Sequence, residues 1–119
     1  EFIDKLKGAH QINISFTSPQ LTLPSDREIN IYRIIQEIIH NTIKHARATK
    51  LSITIETSQK QLILKTIDDG IGFNYDQKIQ LANGLGLLNL QSRAGVLDGQ
   101  LKVISNPGKG STFIVEIPY

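Results

Sequence analysis

The chain has 119 residues, the length of one domain with one hydrophobic core, and its 39% hydrophobic and 20% charged residues suit a soluble globular fold. Its 13 basic and 11 acidic residues give a net charge of +2, too balanced for a nucleic-acid binder by charge alone, and aromatics make up only 6%. Zero cysteines exclude disulfides and thiolate metal sites and fit a reducing cytoplasm, and no apolar run approaches the ~20 residues of a membrane span.

The opening EFIDKLKGAH alternates charged and apolar residues and does not read as a signal peptide. Phe2, Ile3 and Leu6 have helical spacing over too few turns to stand alone, and residues 1–9 are expected to be the remnant of an upstream connection. Gln11 to Phe16 alternates Ile12, Ile14 and Phe16 with Asn13 and Ser15, the period of a strand. Thr17 to Pro24 contains two prolines and reads as a loop. Ser25-Asp26-Arg27-Glu28 fits a capping box, in which the Ser side chain accepts from an early backbone N–H and Glu28 reaches back. From there to about Arg47 the apolar residues recur helically, at Ile31, Ile34, Ile35, Ile38, Ile39 and Ala46. β-Branched residues are weak helix formers and this stretch holds seven isoleucines, but their three-to-four-residue spacing outweighs propensity.

Leu51 to Thr57 and Gln61 to Ile67 read as two strands of a hairpin around Ser58-Gln59-Lys60. Asp68-Asp69-Gly70-Ile71-Gly72 follows as a glycine turn, and Asn74 to Asn83 is a polar connection. Gly84-Leu85-Gly86 opens a second helix with Leu87, Leu88, Leu90, Ala94 and Leu97 on its inner side and Gly99 as its stop. Leu101 to Ile104 and Ser111 to Ile117 are two last strands joined by Asn106 to Gly110. Two long helices among strands paired in hairpins, without βαβ units, predict an α+β two-layer sandwich. The whole of 1–119 is expected to be a single domain.

Three short patterns carry chemistry. On a helical wheel of about 100° per residue, Glu37 and Asn41 stack on one line, Lys44 lies beside it, and His45 lies between it and the isoleucine stripe. His40 falls on the opposite side with Arg33 and Arg47. Such residues ordinarily form a solvated helix edge. A carboxamide oxygen there also suits Mg²⁺, which shares phosphate oxygens and keeps waters, and a carboxylate one turn away can orient or deprotonate a hydroxyl or water. Asp68 at a strand end can accept from an exocyclic amine such as that of adenine, and Gly70 and Gly72 let backbone pass close to a flat ring. Gly84-Leu85-Gly86-Leu87 stands at a helix start, where free N–H groups and the dipole favour phosphate. It is neither a P-loop nor a dinucleotide fingerprint.

In this order the patterns resemble the GHKL ATPase superfamily, which includes histidine kinases, type II topoisomerases, MutL-type repair proteins and the large heat-shock chaperone. Tyr32 to Ala46 resembles the N box of histidine kinases, closest to the nitrate and cell-envelope stress sensors. Asp68 to Phe73 resembles the G1 box, Gly84 to Leu87 the G2 box, and Gly108 to Phe113 with its strand the last hairpin. The resemblance covers roughly residues 24 to 118 and implies a Bergerat-type sandwich, a mixed, mostly antiparallel sheet covered on one face by helices. It further implies that Asn41 coordinates Mg²⁺ bridging the ATP phosphates and that Glu37 helps activate the acceptor. Lys44 and His45 would approach the phosphates or sugar, and Asp68 would bind the adenine amino group. Gly70, Gly72 and Phe73 would shape the adenine pocket, and Gly84, Leu85, Gly86 and Leu87 the phosphate end. Ser111 or Thr112 would support the base side. Phe73 to Asn83 would be a short mobile lid.

His40 stands where relatives carry a small residue or Thr, but the wheel turns it away from the pocket edge. His10 precedes a strand, so no phosphoacceptor helix is present and the chain alone is not expected to phosphorylate itself. The implied activity is transfer of the ATP γ-phosphoryl group to a histidine on the parent kinase's dimerisation helices, with a response regulator downstream. The implied setting is a cytoplasmic domain, monomeric alone and homodimeric in its parent, with or without a membrane anchor. Two alternatives share the boxes. A serine kinase acting as an anti-sigma factor would lack an upstream dimerisation segment. A nucleotide-gated dimerisation module would need a longer lid and a following domain.

Overall fold

A computed structural model describes residues 12–19, 23–72 and 85–118. Phe73, Gly84, the expected lid and the expected upstream remnant lie outside the described residues, as do the side chains of His45, Ala46, Leu85 and Gly86. The elements in chain order are β1 (Asn13–Thr17), α1 (Ser25–Asn41), a π-helical turn (Thr42–Ala46), β2 (Lys50–Ser58), β3 (Gln61–Asp68), α2 (Leu85–Val96), β4 (Gln100–Ser105) and β5 (Ser111–Pro118).

The strands form one sheet in the order β1-β2-β3-β5-β4. β1 runs parallel to β2, and the other neighbouring pairs are antiparallel. The sheet is thus mixed and mostly antiparallel, as expected, but hairpins do not account for all of it. A parallel pair needs a long crossover, and α1 supplies it between β1 and β2. β3 and β4 flank β5 and therefore point the same way, with α2 between them in the chain. The β2–β3 turn is tighter than expected. Ser58 pairs with Gln61, leaving Gln59 and Lys60 as a two-residue loop, both with positive φ. That is the turn whose twist matches a hairpin.

Alternate strand residues point to one side and meet the helices there. Leu51, Ile53 and Ile55 of β2, Leu62 and Leu64 of β3, and Phe113, Val115 and Ile117 of β5 join Ile31, Ile34, Ile35, Ile38 and Ile39 of α1 and Leu87, Leu90 and Ala94 of α2 in one core. At α1's start the capping box is not formed. Pro24 is the cap residue, no side chain caps the helix, and the Pro24 carbonyl accepts from the Glu28 N–H at 3.0 Å. Proline already holds the extended φ and ψ a cap residue needs, so Ser25 is free to begin the helix.

Arg27 anchors that end instead. Its guanidinium donates to the carbonyls of Leu97 at 3.3 Å and Pro118 at 2.9 Å. Leu97 lies just past the end of α2, so the start of α1 sits beside the end of α2 and the two packed helices run antiparallel. At about 1.5 Å per residue, the start of α2 then comes level with the last turn of α1, where Glu37 and Asn41 stand. The end of α2 also differs from expectation. Asp98, not Gly99, takes the left-handed conformation, and the N–H groups of Asp98 and Gly99 bond the carbonyls of Gly95 and Ala94 in a Schellman closure. Gly99 serves another need, since a Cβ there would stand 2.7 Å from the Glu116 carbonyl oxygen of β5.

Candidate functional site

β3 ends at the carboxylate of Asp68 and is followed by that of Asp69, and the two have opposite surroundings because the extended chain alternates faces. Asp68 points to the helix side and is 6% exposed. Burial raises its pKa above the usual carboxylate value, and N–H groups of Gly70, at 2.8 Å, and Ser111 oppose that rise. An ionised carboxylate offers about four lone-pair sites, so the two backbone donors found among the described residues leave it with acceptor capacity to spare. Asp69 points outward. It accepts from the Thr49 hydroxyl at 2.7 Å and from the N–H groups of Thr49 and Lys50 at 2.9 Å each. These bonds, the Thr49 hydroxyl first, hold its carboxyl below the usual range.

Asp69 therefore ties the chain entering β2 to the end of β3. Asp69→Ala should lower the midpoint of urea unfolding at neutral pH. Because its folded pKa is depressed, the support it gives is present above the ordinary carboxylate pKa of about 3.9 and is lost as pH falls through the lowered folded value. The midpoint difference between parent and variant should accordingly close in acid.

The loop after Asp68 lies against the β4–β5 turn. The Gly108 N–H donates to the Ile71 carbonyl. Gly72 and Gly110 both have positive φ. A Cβ on Gly72 would stand 2.1 Å from the Asn106 carbonyl oxygen, and one on Gly110 would stand 2.2 Å from the Asp68 carbonyl oxygen. Ser105 adds a hydroxyl pair with Ser111 at 2.8 Å and donates to the Gly110 carbonyl at 3.2 Å. Two backbone segments thus make contact through glycines, and Asp68 is held at their junction.

Ser111 pairs with Asp68 across the β3–β5 ladder and shares its inward face, at 5% exposure. Thr112 points to the opposite face, so the two hydroxyls are separated by the sheet. Glu37 and Asn41 are half-buried on the last turns of α1, whereas His40 and Lys44 are exposed. The α-helix ends at Asn41, so wheel positions beyond it do not hold, and Lys44 and His45 belong to the π-helical turn. Leu87 faces the core, so only its backbone is available at the start of α2. There the first N–H groups of the helix lack intrahelical partners. Through the pairing of Leu51 with Asp68, the end of β3 lies beside the start of β2, which follows the turn that closes α1.

Among the described residues no three of His, Cys, Asp and Glu come together as a protein-only metal site. A cation here would rest on few protein oxygens and on a ligand's own anionic groups, which is how Mg²⁺ is held beside phosphates.

Arg27, Asp69, Ser105 and Gly110 were not singled out from the sequence. For Ser111 a signal existed: Phe113, Val115 and Ile117 alternate with Ile114 and Glu116, and the period of two carries Ser111 to the apolar side.

Residues 26–119 match the family described as histidine kinase-, DNA gyrase B-, and HSP90-like ATPase. The chain is 32% identical over 118 residues to sensor histidine kinase LiaS of Bacillus subtilis (strain 168), covering 99% of this chain and 32% of that protein. It is 35% identical over 96 residues to sensor histidine kinase ComP of the same strain, covering 81% of this chain and 12% of that protein. With sensor protein VraS of Staphylococcus aureus (strain COL) it shares 32% identity over 113 residues, 95% of this chain and 30% of that one. The chain therefore spans about a third or less of these relatives' lengths. Its fold is similar to the histidine kinase domain of a blue-light-activated histidine kinase from Erythrobacter litoralis EL346, with a TM-score of 0.82 at 19% identity, over 97% of this chain and 56% of that one. Histidine kinase AdeS of Acinetobacter baumannii superposes with a TM-score of 0.80 at 23% identity, over 98% of this chain and 59% of that one. The chain belongs to the histidine kinase-, DNA gyrase B- and HSP90-like ATPase family and is an ATPase domain of the histidine kinase type.

Proposed function

We propose that residues 1–119 act as one catalytic domain that binds ATP with Mg²⁺ and presents the γ-phosphoryl group to a histidine on the dimerisation helices of a parent sensor kinase. The observation that carries this reading is Asp68, a buried carboxylate with two backbone donors among the described residues, held where two glycine-lined turns meet. Asp68 accepts a hydrogen bond from the adenine amino group, and Gly70 leaves room for the ring, while Gly72 keeps this loop against the Asn106 carbonyl. Ser111 supports this base side through its N–H on the Asp68 carboxylate, while Thr112 lies on the other face and takes no part. The free N–H groups at the start of α2, Leu85 to Leu87, serve the phosphates. Asn41 offers a carboxamide oxygen to Mg²⁺, Lys44 approaches the phosphates, and His45 lies in the same turn. Glu37, one turn before Asn41, orients the incoming acceptor. Mg²⁺, when bound, neutralises phosphate charge, and positioning accounts for the rest of catalysis. The parent is read as a homodimer whose phosphohistidine passes its group to a response regulator. Its kinase domain is read as cytoplasmic, with a membrane anchor elsewhere in the parent.

Asn41→Asp tests the metal end. It keeps the shape and adds a negative charge facing the phosphates, so Mg-dependent ATP affinity measured by calorimetry should fall at least about tenfold. Unchanged affinity would remove Asn41 from the site.

A further inference from the structure

The turn that follows Asn41 is built in an unusual way. Thr42 to Ala46 form a π-helical turn, whose i to i+5 bonds take in one residue more than an α-turn. Thr42 opens it and is 4% exposed, at a place where the isoleucine stripe would otherwise continue from Ile38. Its hydroxyl donates to the Ile38 carbonyl at 2.9 Å, and the same carbonyl accepts the Thr42 N–H. A hydroxyl bonded back to the i−4 carbonyl loosens the α ladder and bends the helix at that point. The turn closes at Arg47, which takes the left-handed conformation at φ 50°. Such a backbone is sparsely populated for residues other than glycine, and the surrounding turn holds it in place. Relative to a continued α-helix, everything past the extra residue is displaced by one step, roughly 100° around the axis. The exposed Lys44 lies inside this turn.

We propose that Thr42 is a positioning residue: its hydroxyl holds the π-helical turn that sets Lys44 toward the phosphates. This rests on the nucleotide reading given above. A valine at 42 would keep the shape and the burial but lose the bond that favours the turn. Thr42 touches no ligand and acts only through Lys44.

Three variants test this by calorimetry with Mg-ATP and by NMR titration with AMP, which retains the base but lacks the β- and γ-phosphates. Thr42→Val should bind Mg-ATP about tenfold more weakly, the scale of one charge-assisted hydrogen bond, with AMP affinity within about twofold. Thr42→Ser, which keeps the hydroxyl, should restore Mg-ATP binding to the parent level. Lys44→Ala alters an exposed side chain, and adding Thr42→Val to it should cause no further loss, since coupled residues do not add. Parental Mg-ATP affinity in Thr42→Val, equal losses of AMP and Mg-ATP, or a full extra loss in the double variant would each overturn the proposal. If Thr42→Val does not fold, Lys44→Ala alone still decides: unchanged Mg-ATP affinity would leave the turn nothing to aim. Absence of ATP binding in the parent chain would instead refute the nucleotide reading.

Discussion

Asp68→Asn is expected to weaken ATP binding at least about 100-fold while melting no earlier than the parent chain at neutral pH, since a mispaired buried polar site rejects its ligand by several kcal/mol. Asparagine has the same outline as aspartate and can still accept from the Gly70 N–H. It brings an NH₂ group that meets the adenine amine donor to donor, or a turned amide that opposes its own backbone donors. The stability half follows from the raised pKa. Ionising Asp68 costs the folded state more than the unfolded one, because burial opposes the charge. That cost is absent below the ordinary carboxylate pKa of about 3.9 and complete once the pH exceeds the raised folded value. Asparagine carries no such cost. In the parent, ATP affinity should decline as the pH falls through that raised value, sooner than an ordinary carboxylate would allow, because the protonated acid loses acceptor capacity. Calorimetry across pH with differential scanning on both chains checks the two halves separately. A variant that binds normally removes Asp68 from the base pocket. A variant that melts much earlier makes the carboxylate structural.

Much of this was legible because hydrophobic spacing and burial obey the same periods. The alternation in β2, β3 and β5 gives those strands within a residue or two, and the isoleucine stripe gives the start and buried face of α1, although the α-helix ends at Asn41 and not at about Arg47. The candidate site rests on order along the chain: Glu37 and Asn41, then Asp68 with Gly70 and Gly72, then Gly84-Leu85-Gly86. The illegible features depend on partners distant in sequence. Arg27 matters because Leu97 and Pro118 come beside it, separated by 70 and 91 positions. Asp69 looks like the twin of Asp68 until Thr49 and Lys50 stand opposite it. The parallel pairing of β1 with β2 leaves little mark in either strand, since β1 is only five residues long. The π-helical turn is hidden for another reason. Its residues still have plausible helical spacing, and only a buried threonine in an isoleucine stripe hints that the ladder opens there. The sequence assigns Gly72 to the approach of a flat ring and Gly110 to a turn, and only the contact between their two loops shows that a side chain at either would meet backbone.

That exclusion makes Gly110→Ala a severely damaging single methyl, placed against Asp68 itself. Gly110 has φ +72°, where any residue with a Cβ is strained by about 1 kcal/mol. The larger effect is the contact. The new Cβ would lie 2.2 Å from the Asp68 carbonyl oxygen and 3.2 Å from its carbonyl carbon. Both are main-chain atoms of the β3–β5 ladder, so no side chain can swing aside, and the strand end must move. The total loss of stability should be about 2–4 kcal/mol, within the range of backbone strain combined with overpacking. Since the atoms forced away belong to Asp68, ATP affinity should fall with stability even where the variant remains folded. Gly108→Ala is the matched control. It shares the positive φ, at +80°, but a Cβ there meets nothing within 4 Å, and its N–H bond to Ile71 survives substitution. It should lose only the conformational part, about 1 kcal/mol, with nucleotide affinity unchanged. Urea unfolding and ATP calorimetry on the pair separate the contact from the conformation. If both alanines cost the same, the close approach of the β4–β5 turn to Asp68 is not what holds the carboxylate in place.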